Sequence, residues 1–244
     1  MPGLKEWLAS PLGQYVMARE QAYFDQAVAD AFGYRAIQIG FADQPFLRDN
    51  RIPWQRVVGL RPGADIIADP AQLPFAAQSL DLVLMPHTLD FTSHPHEVLR
   101  EVERVLVPEG RLLLTGFNPV SLFGVRRVLT RAPSPWNGNF LSLGRLKDWL
   151  ELLNFDIAGG AFLCYAPPLA SDKWRDRFTF MEDAGDRWWP VASGVYALEA
   201  VKRVRGMRLI MPRWKVLAQP LIAVTRAKRP AMTPNEMLKD DIAD

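Results

Sequence analysis

The chain has 244 residues, 49% of them hydrophobic, with 29 Lys and Arg against 27 Asp and Glu, enough for one sizeable core, as one domain or as one domain with an appendage. It holds no apolar run of the ~18 residues a membrane span needs, and its single cysteine, Cys164, excludes an internal disulfide. The N-terminal Lys5-Glu6-Trp7 lacks the basic-then-apolar layout of a secretory leader, so a cytoplasmic protein is the expectation.

Strands and helices alternate along the chain, the pattern of a parallel sheet covered on both faces. Ser10-Pro11 predicts a helix start, since proline is tolerated in a first turn. Leu12, Val16, Tyr23, Ala27 and Ala31 fall on one ~100° stripe, and Gly33 is the expected stop. Buried strands are expected at Tyr34 to Ile39, Arg56 to Leu60, Asp65 to Ala68 and Leu80 to Met85, with Arg61-Pro62-Gly63 as a turn. His94 is the expected cap of the next helix, with Pro95 at its first position and Glu97 in its first turn. Arg111 to Gly116 reads as a strand apolar on both faces, and Ser142 starts a helix with Leu143, Leu146, Trp149, Leu150 and Leu153 on one stripe. Asn154 suits a left-handed helix end. Phe155 to Tyr165 and Val195 to Val204 are the last strands, and they flank a polar-aromatic segment, 172–190, expected to be helical.

Four segments in fixed order carry the strongest signal. Asp69-Pro70-Ala71-Gln72-Leu73-Pro74-Phe75 follows the third strand, and Ser79-Leu80-Asp81-Leu82-Val83-Leu84 opens the fourth. Then come the helix Leu99-Arg100-Glu101-Val102-Glu103-Arg104, the turn Pro108-Glu109-Gly110 and a final apolar strand. Over roughly residues 34 to 118 this arrangement resembles class I S-adenosylmethionine-dependent methyltransferases, of the type that acts on quinones, lipids and other small molecules. The resemblance implies an α/β fold: a Rossmann-like, seven-stranded, mostly parallel sheet with helices on both faces and a C-terminal antiparallel strand pair. It implies a methyltransferase-like domain over 1–205, with a helical cap at 1–33 and a helical insertion at 172–190. Residues 206–244 are then a basic extension.

The implied cofactor is S-adenosyl-L-methionine, and the candidate contacts are Gln38, Gly40, Ala42, Leu60, Asp69, Pro70 and His87. Its methionine end needs close backbone approach after the first strand, where glycine is favoured. Here Gln38-Ile39-Gly40-Phe41-Ala42 keeps one glycine and has no acid at Gln38. Its ribose diol usually meets a carboxylate at the end of the second strand, because an ionised acid accepts two hydroxyl bonds. Leu60 stands there instead. Asp69 occupies the place of the adenine-facing acid, although Pro70 has no N–H to offer a ring nitrogen.

His87, after the fourth strand, is a candidate proton acceptor or acceptor contact. Asn118, after the fifth, both donates and accepts and is the second catalytic candidate. His94 and His96 read as surface residues, and no Cys or acid cluster completes a metal site with them. Arg126 and Arg127 are either anion contacts or solvated helix charges. Trp174, Phe178, Phe180, Trp188 and Trp189 are either a lid or packing.

Charge is uneven: residues 201–244 hold 10 Lys and Arg and 4 acids, against 19 and 23 before them. Nine cations interleave with large apolar residues over 202–229, a composition suited to an anionic membrane surface or nucleic acid, or to a solvated edge and tail. Two functions therefore stand open. One is methyl transfer to a small-molecule acceptor. The other is a binding or interaction module without catalysis, because Leu60 and the single glycine weaken the cofactor motif.

Overall fold

The computed structural model describes residues 4–129, 135–168 and 192–204. By contacts the chain divides into two compact units, residues 1–206 and 207–244. The second lies outside the described residues, as do 172–190 and all of 202–229 beyond residue 204.

The elements are α1 (Leu4–Ala9), α2 (Pro11–Ala29), β1 (Arg35–Ile39), β2 (Trp54–Gly59), β3 (Ile66–Ile67), β4 (Leu80–Pro86), α3 (Pro95–Val105), β5 (Leu106–Phe117), α4 (Leu122–Leu129), α5 (Leu143–Leu152), β6 (Phe155–Leu163) and β7 (Val195–Lys202). The seven strands form one sheet in the order β3-β2-β1-β4-β5-β7-β6. β1 to β5 run parallel to one another, and β7 pairs antiparallel with both β5 and β6. Strand order reverses between β1 and β4, the place where sheets of this kind bind ligands at their carboxyl ends.

Alternating side chains put a core on each face of the sheet. Ile37, Ile39, Val83, Met85, Leu112 and Leu114 pack with Val98, Leu99 and Val102 of α3 and Leu146 and Leu150 of α5. Ala36, Leu82, Leu84 and Leu113 face the other way, toward Val16, Phe24 and Val28 of α2. Burying each large aliphatic chain completely contributes about 1.5–3 kcal/mol.

Local signals worked where a side chain closes on its own backbone. Ser10 Oγ accepts from Gly13 N at 3.1 Å and starts α2 as expected, and Asn154 sits at φ 59 beyond α5. Three expectations are corrected. α2 stops at Ala29, four residues before Gly33. Gly33 is needed instead because a Cβ there would lie 2.3 Å from Asp81 Cβ. Asp81, whose carboxylate accepts from Tyr34 N and Arg35 N, thereby anchors the start of β1. His94 stands at the cap position of α3 without a side-chain hydrogen bond to the helix; its own N–H goes to Thr92 Oγ1. Finally, β5 pairs with β4 both before and after Pro108-Glu109-Gly110. The turn is an irregularity within the strand, with Glu109 at φ 63.

Candidate functional site

The carboxyl ends of β1 to β5 form one rim, and the expected site residues divide along it. At the end of β1, Gly40 has φ +86 and donates its N–H to Val58 O at 2.7 Å. A Cβ added there would meet only Thr88 Oγ1, at 3.7 Å, so the space over this backbone is open. Any side chain at this φ is strained, which is why glycine is required. Gln38 shapes the loop from below. It is fully buried, its amide donates to the carbonyls of Gly40, Phe41 and Gln44, and its carbonyl accepts from Phe46 N. Gln38 is therefore saturated by the loop and presents nothing to a ligand. Ala42 is exposed and lies beside Gly63 of the loop after β2.

Leu60 follows β2 and is 68% exposed. Asp69 is exposed, and its Oδ1 accepts from Ala71 N at 2.9 Å, closing a tight turn around Pro70. The Leu73-Pro74-Phe75 loop is held from α3. Glu101 accepts from Leu73 N at 2.8 Å, while Arg104 donates to Leu73 O and Phe75 O and pairs with Glu101 at 2.7 Å. The hydrogen bond from Arg104 holds the Glu101 carboxyl below its ordinary range. The Glu-x-x-Arg spacing thus works by fixing the loop that carries Asp69.

His87 belongs to a different environment. It has φ 48 and no exposed surface, and it lies between two acids. Nδ1 is 2.8 Å from Asp90 Oδ2, and Nε2 is 2.7 Å from Glu20 Oε1. The contact with Glu20 is close but not aligned as a hydrogen bond, so charge is what holds it. The ring stacks on Phe117 at 4.0 Å, and Asp90 Oδ2 also accepts from Phe117 N at 2.9 Å. Burial pulls the His87 pKa down, but the charge of Glu20 and the hydrogen bond with Asp90 outweigh it and push it up to about 10. Burial raises the Asp90 carboxyl, against the pull of His87. At neutral pH His87 is an imidazolium, so it holds a proton rather than accepting one, and it fastens α2 to the rim at β4.

Glu20 escapes a stripe drawn through Tyr23 and Ala27, but Val16, Glu20, Phe24 and Val28 all prove buried. An acid at four-residue spacing among large apolar residues was the available signal. Asp90 was detectable as His-x-x-Asp at turn spacing.

Asn118 is buried and structural in its visible contacts. It donates through Nδ2 to Ser193 O and accepts from Val120 N, while Ser121 bonds its carbonyl and receives Gly124 N. His94 and His96 are exposed. Arg126 donates to Pro168 O and lies 4.9 Å from the Trp136 ring centre, so it is a packing residue. Arg127 reaches a separate cavity, described below. The aromatic segment around Trp174 lies outside the described residues. Of the basic stretch, Lys202 is buried against Leu106 O and Glu103, and Arg203 pairs with Glu109 and Asp156. Among the described residues no helix is long and apolar enough to cross a membrane.

A cofactor with an adenosine tail and a methionine head fits this rim in part. The open backbone over Gly40 suits the head, and Asp69 with its fixed loop suits the adenine. The ribose end lacks an acceptor at Leu60.

Residues 53–114 match the family model for the Methyltransferase domain; this segment runs from β2 into β5 and includes Leu60, Asp69 and His87. A 92-residue region, 37% of the chain, is 47% identical to the uncharacterized protein YafS of Escherichia coli strain K12 and covers 38% of it. An 81-residue region, 32% of the chain, is 33% identical to the demethylmenaquinone methyltransferase of Chlamydia pneumoniae and covers 35% of it. The chain spans less than two fifths of the length of these curated relatives. Among solved structures, a SAM-dependent methyltransferase of Thermotoga maritima superimposes with a TM-score of 0.59 at 17% identity, covering 82% of this chain and 94% of that one.

Proposed function

We propose that this chain, whose fold is that of class I S-adenosylmethionine-dependent methyltransferases, transfers a methyl group from S-adenosylmethionine to a small-molecule acceptor. The observation that carries it is the rim at the strand reversal, where an unobstructed backbone at Gly40 shares one edge with the braced Asp69 loop. Gly40 and Ala42 would receive the methionine end, Asp69 and Pro70 the adenine, and Leu60 the apolar edge of the sugar. Bound there, the sulfonium supplies a methyl group open to in-line attack. The protein's part is orientation and exclusion of water. His87 and Asn118 act as positioning residues: His87 fastens α2 beside the rim, and Asn118 shapes the turn after β5.

Calorimetric titration with S-adenosylhomocysteine tests this. Saturable binding is expected, weakened about tenfold to a hundredfold in Asp69→Ala as one charge-assisted hydrogen bond is lost. Silence at millimolar ligand, with the protein folded, would leave a binding module as the better description. That second reading is favoured by one observation, the exposed leucine at the ribose position.

Leu60 gives an independent measurement. Because the side chain is exposed, an introduced carboxylate stays solvated and ionised. Leu60→Asp is therefore expected to tighten binding of S-adenosylhomocysteine about tenfold, the worth of one hydrogen bond to a charged group. Unchanged affinity in a stable variant would mean that the sugar lies elsewhere.

A further inference from the structure

We infer that the cavity between α3, α4 and α5 binds an organic anion with an apolar body and receives the charged end of the methyl acceptor. The second half rests on the methyl-transfer proposal above. The cavity has a volume of about 640 Å³, within the range of small-molecule clefts.

Three helices each bring one basic side chain to it: His96 from α3, Arg127 from α4 and Arg145 from α5. Phe140, Leu141 and Trp149 supply apolar wall. No carboxylate is among the described lining residues, so the cations there are not neutralised from within the cavity. Arg145 is exposed and pairs with no acid among the described residues. The Arg127 guanidinium lies 5.0 Å from the Phe140 ring centre. That contact holds it at the wall and leaves its N–H donors for a ligand. The His96 ring rests on Trp149 at 3.6 Å, and α3 begins at this wall with Pro95, adding the positive end of its dipole.

Cations over an apolar wall select a ligand with both parts, since a bare anion gains nothing from the aromatic surface and a neutral apolar molecule nothing from the arginines. The cavity also adjoins the rim where β4 and β5 end. Asn139, in its wall, donates its N–H to Asp90 O at 2.7 Å. Phe140 stacks on Phe117 at 5.0 Å, and Phe117 stacks on His87. One aromatic layer separates the anion's place from the carboxyl ends of β4 and β5.

Calorimetry on the full chain at low salt tests the site, with octyl phosphate as the probe and 1-octanol and inorganic phosphate as controls. Octyl phosphate is expected to bind saturably and at least about tenfold more tightly than either control. Arg127→Gln and Arg145→Gln should each weaken it by about tenfold without changing the melting temperature. Arg145 is exposed, so its variant keeps the test valid even if Arg127→Gln perturbs packing. Equal binding of 1-octanol, or undiminished binding to Arg145→Gln and the double variant, overturns the site. S-adenosylhomocysteine titrated alongside separates the two proposals. If it fails to bind while octyl phosphate shows the charge dependence, methyl transfer falls and the anion site stands. If it binds and octyl phosphate shows no dependence on the arginines, the reverse holds.

Discussion

His87→Leu is expected to lower the free energy of unfolding by about 3–5 kcal/mol, the usual cost of removing one member of a buried ion pair. The imidazolium is the only cation within contact of Glu20 and Asp90 among the described residues, and all three side chains lie fully or almost fully buried. Without it Glu20 is left as a buried acid with no cation beside it, in an apolar layer built from Phe24, Phe117 and their neighbours. The double variant Glu20→Leu/His87→Leu should recover most of the loss, because a buried pair replaced by apolar groups of similar size is often neutral. Asp90 can remain, protonated with the help of burial and still accepting from Phe117 N. Urea unfolding followed by tryptophan fluorescence measures both. A single variant as stable as the parent, or a double variant worse than the single, would show that the cluster does not act as a buried charge pair.

The same cluster sets a pH dependence with a definite sign. The folded His87 pKa is raised to about 10, above the ~6.5 of the unfolded side chain. The folded state therefore binds the extra proton, and stability falls as pH rises wherever the folded state holds more protons than the unfolded one. The contribution is complete below about pH 6.5 and is lost as pH rises toward 10, a decline on the order of a few kcal/mol. Asp90, also raised, works in the same direction. Thermal melts from pH 6 to 10 should show a falling Tm for the parent and a flatter profile for Glu20→Leu/His87→Leu. Equal slopes would place the titrating groups elsewhere. Since His87 and Glu20 fasten α2 across the rim, loosening of that helix is expected to accompany the decline.

The fold was largely legible because its elements announce themselves locally. Continuous apolar runs such as Leu82-Val83-Leu84 put apolar side chains on both faces of a strand and therefore need a sheet covered on both sides. Ser10 caps α2 with its own hydroxyl, and Asn154 takes the left-handed turn that few other residues accept. The Asp69 to Phe75 loop and the Glu101 and Arg104 of α3 could be read as parts of one pattern. Only the structure shows that the helix pair exists to brace the loop.

The site was legible by position and less so by role. Sequence order places Gly40, Leu60, Asp69, His87 and Asn118 after successive strands, and parallel strands bring such positions to one rim. Whether a side chain at the rim faces outward or inward depends on what packs on it from far along the chain. Glu20 reaches His87 across 67 positions of sequence, so a residue expected at the ligand becomes a buried cation. Gln38 likewise turns under the loop it was expected to serve. The sequence by itself determined the order of strands and helices and which residues follow each strand, because these depend on neighbours within a few residues. Tertiary structure alone decided the buried charge cluster and the arginine-lined cavity, since each is assembled from segments far apart in the chain whose burial and charge exist only once they meet.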